Sequence, residues 1–230
     1  LFGELELRLD ELKACDDLRV LLLMGRQDVF CAGASMDLLH ATPELLQRFR
    51  TEDAAARRFY HENTVLAFPM PVIAAMEGHA IGGGLMIGLS CDLVLAAETS
   101  RYGVNFCELG FTPGTGSTVL LPELVGHHFS MEMMLTGKLY RGRELKERGL
   151  FNDVLPADRV LPQALDLACR IAEKPRHVLR MCKEAVGVPR RQAFLGAVSR
   201  EVLMHEVCFR DAGLLPNIRE RYPNWSPATE

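Results

Sequence analysis

A run of three glycines between two apolar segments constrains this chain more than any other feature. The run lies within EGHAIGGGLM at residues 77–86. The apolar stretch 71–76 before it predicts a buried strand, and the stretch 85–91 after it predicts a buried helix. Glycines at such a junction let another backbone or a ligand come close, and the first N–H groups of the helix point outward. These groups suit an oxygen that gains negative charge during a reaction; the alternative is a tight turn that only needs glycine.

A second segment of small residues, CAGAS at 31–35, is another candidate for an exposed backbone N–H. The alternative interpretation is a plain connecting loop. The polar stretch 42–68 follows, and Thr42-Pro43 fits the start of a helix. This stretch predicts a mostly helical lid, with a solvated helical face as the alternative.

The order of the apolar segments predicts an α/β chain. An amphipathic helix over Phe2–Leu12 comes first, and strands are predicted at 20–24, 71–76, 92–97 and 152–156. Residues 103–118 are predicted to form a loop. Short helices are predicted at 131–135 and 143–148. The tail is predicted as three helices, at 161–173, 175–186 and 192–211. Strands that alternate with helices indicate parallel strands joined by crossover helices.

One histidine of the last predicted helix lies on an apolar stripe. Val198, Val202, His205 and Phe209 are spaced by four, three and four residues, so they share one face. A histidine satisfied within the core is one explanation. The other is a buried acid–base group that works near neutral pH.

Composition excludes several classes of function. The 230 residues suffice for one domain with a core and a small appendage, and the net charge of −4 with no basic stripe argues against nucleic-acid binding. Seven cysteines without a CxxC pair indicate reduced core thiols of a cytoplasmic protein rather than a zinc site. No stretch is apolar for long enough to span a membrane, and no signal peptide is visible. The chain opens without Met on a helical pattern, so we expect residues to be missing in front of Leu1.

Several segments together resemble the crotonase (enoyl-CoA hydratase/isomerase) superfamily. They are FCAGA at 30–34, GHAIGGG at 78–84, CDLV at 91–94, LGFTPG at 109–114 and LTG at 135–137. The resemblance implies a ββα spiral core with an oxyanion hole and a lid over residues 1–158, its first strands missing. It also implies a helical trimerisation region over 159–230, and hence a homotrimer. The N–H groups of Ala34 and Gly83 would form the oxyanion hole for a thioester carbonyl.

Two positions depart from the hydratases of this family, which carry a glutamate at each. Here the residues are Met86 and Phe106, which the resemblance places in the substrate pocket. Hydration needs a base for water and an acid for carbon, and two apolar side chains supply neither. A hydratase or isomerase that uses Glu108 or Glu62 is the alternative, since residue 108 lies on the same side as residue 106 of an extended stretch.

One branch of the superfamily is more similar: the decarboxylases of polyketide β-branching. The similarity covers EGHAIGGG at 77–84, NF at 105–106, GFTPGTG at 110–116, YRG at 140–142, LKERG at 145–149, and MHE at 204–206 with Phe209. It implies decarboxylation of a 3-methylglutaconyl-type thioester on the phosphopantetheine arm of an acyl carrier protein. Ala34 and Gly83 would hold the dienolate, and His205 would protonate it. No metal or redox cofactor is implied.

The lid departs from that branch, which generally places a lysine there for the departing carboxylate. No lysine lies between Lys13 and Lys138. Arg57 or Arg58 are candidates to replace it, because a guanidinium binds a carboxylate well. Tyr60 and His61 are further candidates. A carrier-protein-binding scaffold without turnover is therefore a third hypothesis.

Overall fold

The computed structural model describes residues 2–33 and 62–221. Within them the strands are, in chain order, β1 (Leu21–Met24), β2 (Val29–Cys31), β3 (Val72–Met76), β4 (His79–Ile81), β5 (Leu93–Ala97), β6 (Arg101–Gly103), β7 (Tyr140–Arg141) and β8 (Asp153–Leu155). They form two sheets, with the orders β1-β3-β5-β8 and β2-β4-β6-β7. All neighbours are parallel except β6 and β7.

The helices of the same residues surround these sheets. They are α1 (Phe2–Lys13), α2 (Gly83–Leu89), α3 (Ser117–Val125), α4 (His127–Thr136), α5 (Gly142–Leu145), α6 (Ala157–Ala172), α7 (Arg176–Cys208) and α8 (Leu214–Arg221), with a 3₁₀ turn at Lys146–Arg148. In the part of the chain that the structure describes, no helix combines the length and apolar character needed to cross a membrane. Most of the predicted lid, and the residues predicted within it at 57, 58, 60 and 61, lie outside the described residues.

The chain winds as a spiral of repeating units. A strand of the first sheet is followed by a strand of the second sheet and then by a helix, as in β3-β4-α2 and β5-β6-α3. The predicted α/β class and ββα spiral are therefore confirmed. The strand β4 was not predicted, because its three residues are too few to show a period in the sequence.

The central strand β3 is buried on both faces, which explains its continuous apolar sequence. Ile73 and Ala75 belong to a cluster with Val160 and Ala164 of α6, whereas the alternate residues of the strand face the main core. The Tyr102 hydroxyl of β6 donates to the Met76 carbonyl (2.8 Å) and accepts from the Ala97 N–H (2.9 Å). This hydroxyl joins the two sheets just before the chain enters the glycine run.

Helix α7 corrects one expectation. The helices predicted at 175–186 and 192–211 are one continuous helix of 33 residues, with Pro189 in its interior. A proline removes one N–H from a helix and usually breaks it. Here the helix continues because it is anchored to the core on both sides of the proline.

The anchors of α7 repeat at intervals of seven and four residues, which keeps them on one face. The Lys183 ammonium donates to the Met70 carbonyl (3.0 Å) and to Asp92 (2.7 Å). The Arg190 guanidinium donates to the Leu89 carbonyl at the end of α2 (3.0 Å). The same face then presents Phe194, Glu201 and His205. The helix is thus fixed at the residues that precede β3 and β5 and at the end of α2, and its last turns are directed at the loop between β6 and α3.

Candidate active site

The glycine run makes a sharp turn from β4 into α2. Gly82 has φ 56° and ψ −126°, which favours glycine, and its N–H donates to the Gly103 carbonyl (2.9 Å). Helix α2 begins at Gly83, so the Gly83 N–H lies in the first turn and has no acceptor within the helix. A Cβ at Gly84 would lie 2.1 Å from the Cys31 carbonyl oxygen. Only glycine at residue 84 therefore lets the end of β2 pack against the start of this helix.

The two small-residue segments meet at this point. Gly33 has φ +88°, and a Cβ on it would lie 2.7 Å from the Ile81 carbonyl oxygen and 3.3 Å from the Gly83 nitrogen. The residue immediately before Ala34 thus lies against the Gly83 amide. Ala34 itself lies outside the described residues, so its role as the second donor stays a prediction.

A small pocket opens beside the Gly83 amide. Its walls include Gly83 and Met86 of α2, Thr115 of the loop before α3, Phe194 of α7, and Asn63. Met86 is buried, and Asn63 is held by a hydrogen bond from its Nδ2 to the Ser90 hydroxyl (2.6 Å). Thr115, Phe194 and Asn63 were not predicted, because nothing in the sequence connects them with α2.

His205 is partly buried, and its ring has a defined orientation. Its Nε2 lies 2.6 Å from the Thr112 carbonyl oxygen. A carbonyl only accepts, so Nε2 carries a proton and Nδ1 is the nitrogen left for another partner. The ring also packs edge-on against Phe111 at 5.6 Å between centroids, and against Phe209 at 6.2 Å.

One loop connects His205 with the Gly83 amide. A Cβ at Gly114 would lie 2.5 Å from Cε1 and 3.0 Å from Nε2 of His205. The next residue, Thr115, has its Cγ2 3.6 Å from the position of a Cβ on Gly83. The two adjacent residues Gly114 and Thr115 therefore lie between the imidazole and the start of α2, with His205 against the first and Gly83 against the second.

Gly114 gives a direct test of this contact. Gly114→Ala is expected to displace the His205 ring and to destabilise the protein by about 1–3 kcal/mol through overpacking. It is also expected to lower turnover of the thioester predicted as substrate about tenfold or more, through misplacement of the histidine predicted to be the acid. Urea unfolding and a turnover assay measure the two effects. The control is Gly196→Ala at an exposed position of α7. A Cβ there meets only Arg200, at 3.7 Å, and helix propensity favours alanine. Equal behaviour of the two variants would contradict the proposed contact.

Phe106 lies where the resemblance places a glutamate in hydratases. Its side chain is buried, and its Cε1 is 3.7 Å from the position of a Cβ on Gly82. Its ring packs against Phe111 at 5.8 Å between centroids. Burial raises the pKa of the nearby Cys31 thiol, so this group stays neutral near pH 7. Met86 and Phe106 are thus buried apolar side chains beside the glycine run, and neither can transfer a proton.

The alternative acids are not placed as the sequence suggested. Residues 106–110 form a turn rather than an extended stretch, with the Leu109 N–H donating to the Asn105 carbonyl (3.1 Å). Phe106 is buried while Glu108 is exposed and lies against Gly137, at the end of α4. The expectation that residue 108 shares a side with residue 106 was therefore wrong. Glu62 is also exposed.

Comparison with known proteins shows the family of this chain. The profile of the enoyl-CoA hydratase/isomerase family matches residues 1–225. This chain belongs to the enoyl-CoA hydratase/isomerase family, the crotonase superfamily. The family resemblance and the fold predicted from it are thus confirmed.

Two similar proteins within this family are decarboxylases. The bacillaene synthase decarboxylase PksI of Bacillus subtilis (strain 168) is 34% identical over 206 residues, covering 90% of this chain and 80% of PksI. The ECH2 decarboxylase domain of CurF from Lyngbya majuscula superposes with a TM-score of 0.83 at 31% identity, covering 95% of this chain and 87% of that domain. The probable enoyl-CoA hydratase echA8 of Mycobacterium leprae (strain TN) is 33% identical over 196 residues, covering 85% of this chain and 72% of that protein.

Proposed function

We propose that this crotonase is a decarboxylase of polyketide β-branching, acting on a 3-methylglutaconyl-type thioester of an acyl carrier protein. The observation that carries the proposal is the pair of buried apolar residues Met86 and Phe106 beside the Gly83 N–H at the start of α2. Among the described residues, the two positions at which hydratases of the family carry glutamates hold no acid or base, whereas the Gly83 N–H remains as a donor for an enolate oxygen. The likeness to PksI and to the CurF domain supports the same reaction.

The reaction begins with the loss of a carboxylate rather than a proton. The bond between the terminal carboxylate and Cγ breaks, CO₂ leaves, and the electron pair passes through the double bond to the thioester oxygen. The resulting dienolate accepts hydrogen bonds from the Gly83 N–H and, as predicted, from the Ala34 N–H. Backbone donors held for this oxygen contribute roughly 3–4 kcal/mol each. The apolar side chains of Met86 and Phe106 disfavour the compact charge of the carboxylate relative to the delocalised transition state.

Protonation completes the product. In the proposed mechanism the His205 imidazolium delivers the proton from Nδ1, because Nε2 donates to Thr112. A proton on Cα gives the β,γ-alkene, and a proton on Cγ gives the α,β-alkene. Arg57 or Arg58 is proposed to hold the carboxylate before it leaves. The phosphopantetheine arm is proposed to enter the site past the lid. The protein is proposed to act as a homotrimer.

The decisive experiment is intact-mass analysis of 3-methylglutaconyl-carrier protein after incubation with this chain. We expect loss of one CO₂ per acyl group, followed by NMR of the released acyl chain to locate the double bond. The matched substrate is the 3-methylcrotonyl-carrier protein, which lacks the carboxylate and is expected to stay unchanged. Gain of water by that substrate would favour the hydratase instead. Binding of both substrates without any mass change would favour the scaffold, and each of these results would reject the proposed function.

A further inference from the structure

A buried carboxylate on α7 has no part in the chemistry described so far. Glu201 is 1% exposed. Its Oε2 accepts a hydrogen bond from the Gly116 N–H (2.8 Å), and its Oε1 accepts from the N–H (3.0 Å) and the hydroxyl (2.5 Å) of Thr118. These donors lie at the start of α3, where backbone N–H groups lack helical acceptors and the positive end of the helix dipole attracts an anion. Glu201 thus caps α3 from a different helix.

Glu201 and His205 lie one helical turn apart on α7, and both contact the loop Thr112–Thr118, here called the glycine loop. His205 contacts its first half, at Thr112 and Gly114. Glu201 contacts its second half, at Gly116 and Thr118. The same helix face therefore fixes both halves of the loop that separates His205 from Gly83.

The glycine loop needs such restraint because part of its backbone is strained. Thr115 has φ 56°, a left-handed conformation that is uncommon for a residue with a branched side chain. Phe194 packs over Gly116, where a Cβ would lie 2.1 Å from its ring. Hydrogen bonds to a carboxylate are shorter and stronger than neutral ones, so those of Glu201 help to hold this conformation.

We propose that Glu201 is a positioning residue that holds the glycine loop and thereby fixes His205 relative to the Gly83 amide. This inference rests on the proposed function for its kinetic consequence, although not for its structural one. Loss of the carboxylate leaves Thr115 free to relax to an ordinary backbone conformation. Gly114 then moves, and the imidazole that lies against it moves with it.

The test compares Glu201→Gln with Glu184→Gln, the same change at an exposed position of the same helix. One amide oxygen cannot accept from both Gly116 and Thr118 while its NH₂ group faces the other donor. We expect Glu201→Gln to lower kcat about 10- to 100-fold through misplacement of the acid, with KM little changed. We also expect it to shift the ¹H–¹³C signal of the His205 ring in histidine-labelled protein. Glu184→Gln is expected to change neither.

The same substitution in a His205→Gln protein distinguishes an effect on the position of His205 from a general loss of structure. If Glu201 acts through His205, Glu201→Gln lowers the residual rate of a His205→Gln protein no further. An undiminished loss in that background would overturn the proposal, as would a His205 signal identical to that of Glu184→Gln. A shifted His205 signal in a protein without decarboxylase activity would support the positioning role and reject the proposed function instead.

A milder variant covers the case in which Glu201→Gln does not fold. Thr118→Val removes only the hydroxyl donor to Oε1 and keeps both backbone bonds. Loss of one such bond corresponds to about a two- to tenfold decrease in kcat. The same shift of the His205 signal, smaller in size, is expected. An unchanged signal and rate in this variant would again overturn the proposal.

Discussion

His205→Gln is expected to lower the turnover of 3-methylglutaconyl-carrier protein by about 10²–10⁴-fold, the range for removal of a general acid. Glutamine keeps a donor for the Thr112 carbonyl, so the glycine loop retains its contact with α7. It has no nitrogen that delivers a proton at neutral pH. The dienolate then waits for a proton from water, and the measured quantity is the single-turnover rate of product formation by mass spectrometry.

The matched control is His177→Gln, which makes the same substitution at an exposed position of the same helix. It is expected to leave turnover unchanged. Retention of full activity by His205→Gln would contradict the role of His205 as the acid and favour the satisfied core histidine instead. Thermal unfolding of both variants shows whether a loss of rate is a loss of folded protein.

The second large effect is expected at Gly83, where proline removes one donor. Gly83→Pro eliminates the backbone N–H at the first helical position, which is the helix position that best tolerates proline. Loss of one oxyanion-hole donor lowers kcat by about 10²–10³-fold. The measurement is the same single-turnover rate, with circular dichroism as a check that helix α2 persists.

Gly83→Ala separates the donor from the shape. It keeps the N–H, and its Cβ meets Thr115 Cγ2 at 3.6 Å, an ordinary contact. Gly83→Ala is expected to retain most of the activity that proline removes. An equal loss in the two variants would mean that the space beside Gly83, rather than its N–H, limits the reaction.

Local patterns in the sequence predicted the parts of this protein that depend on neighbouring residues. The apolar run 71–76, the glycine run and the stripe around His205 each show their period within a few turns or a few residues. They correctly located β3, the start of α2 and the inward side of α7. The short strand β4 and the continuity of α7 past Pro189 were missed, because both depend on partners elsewhere in the fold.

In the candidate site, too, local features could be predicted and features that depend on distant partners could not. The apolar identities of Met86 and Phe106 could be read directly, whereas the exposed position of Glu108 depends on a turn at 106–110 that the sequence suggested was extended. Glu201 was not predicted as a site residue. Its spacing of four from His205 was the available signal, but its partners at Gly116 and Thr118 lie 85 and 83 positions away along the chain. No periodicity connects residues so far apart.

The end of α7 contacts residues that are distant in the sequence, and this has a consequence for how the protein acquires activity during synthesis. The glycine run and the glycine loop leave the ribosome well before His205, whose contact with Thr112 spans 93 positions. Contacts between residues this distant form slowly, because the intervening chain must first be ordered. A nascent chain that ends before Glu201 therefore contains the strands of both sheets and the Gly83 amide, but neither the proposed acid His205 nor the residue proposed to position it. In the proposed mechanism, the protein becomes catalytically competent only when the end of α7 docks.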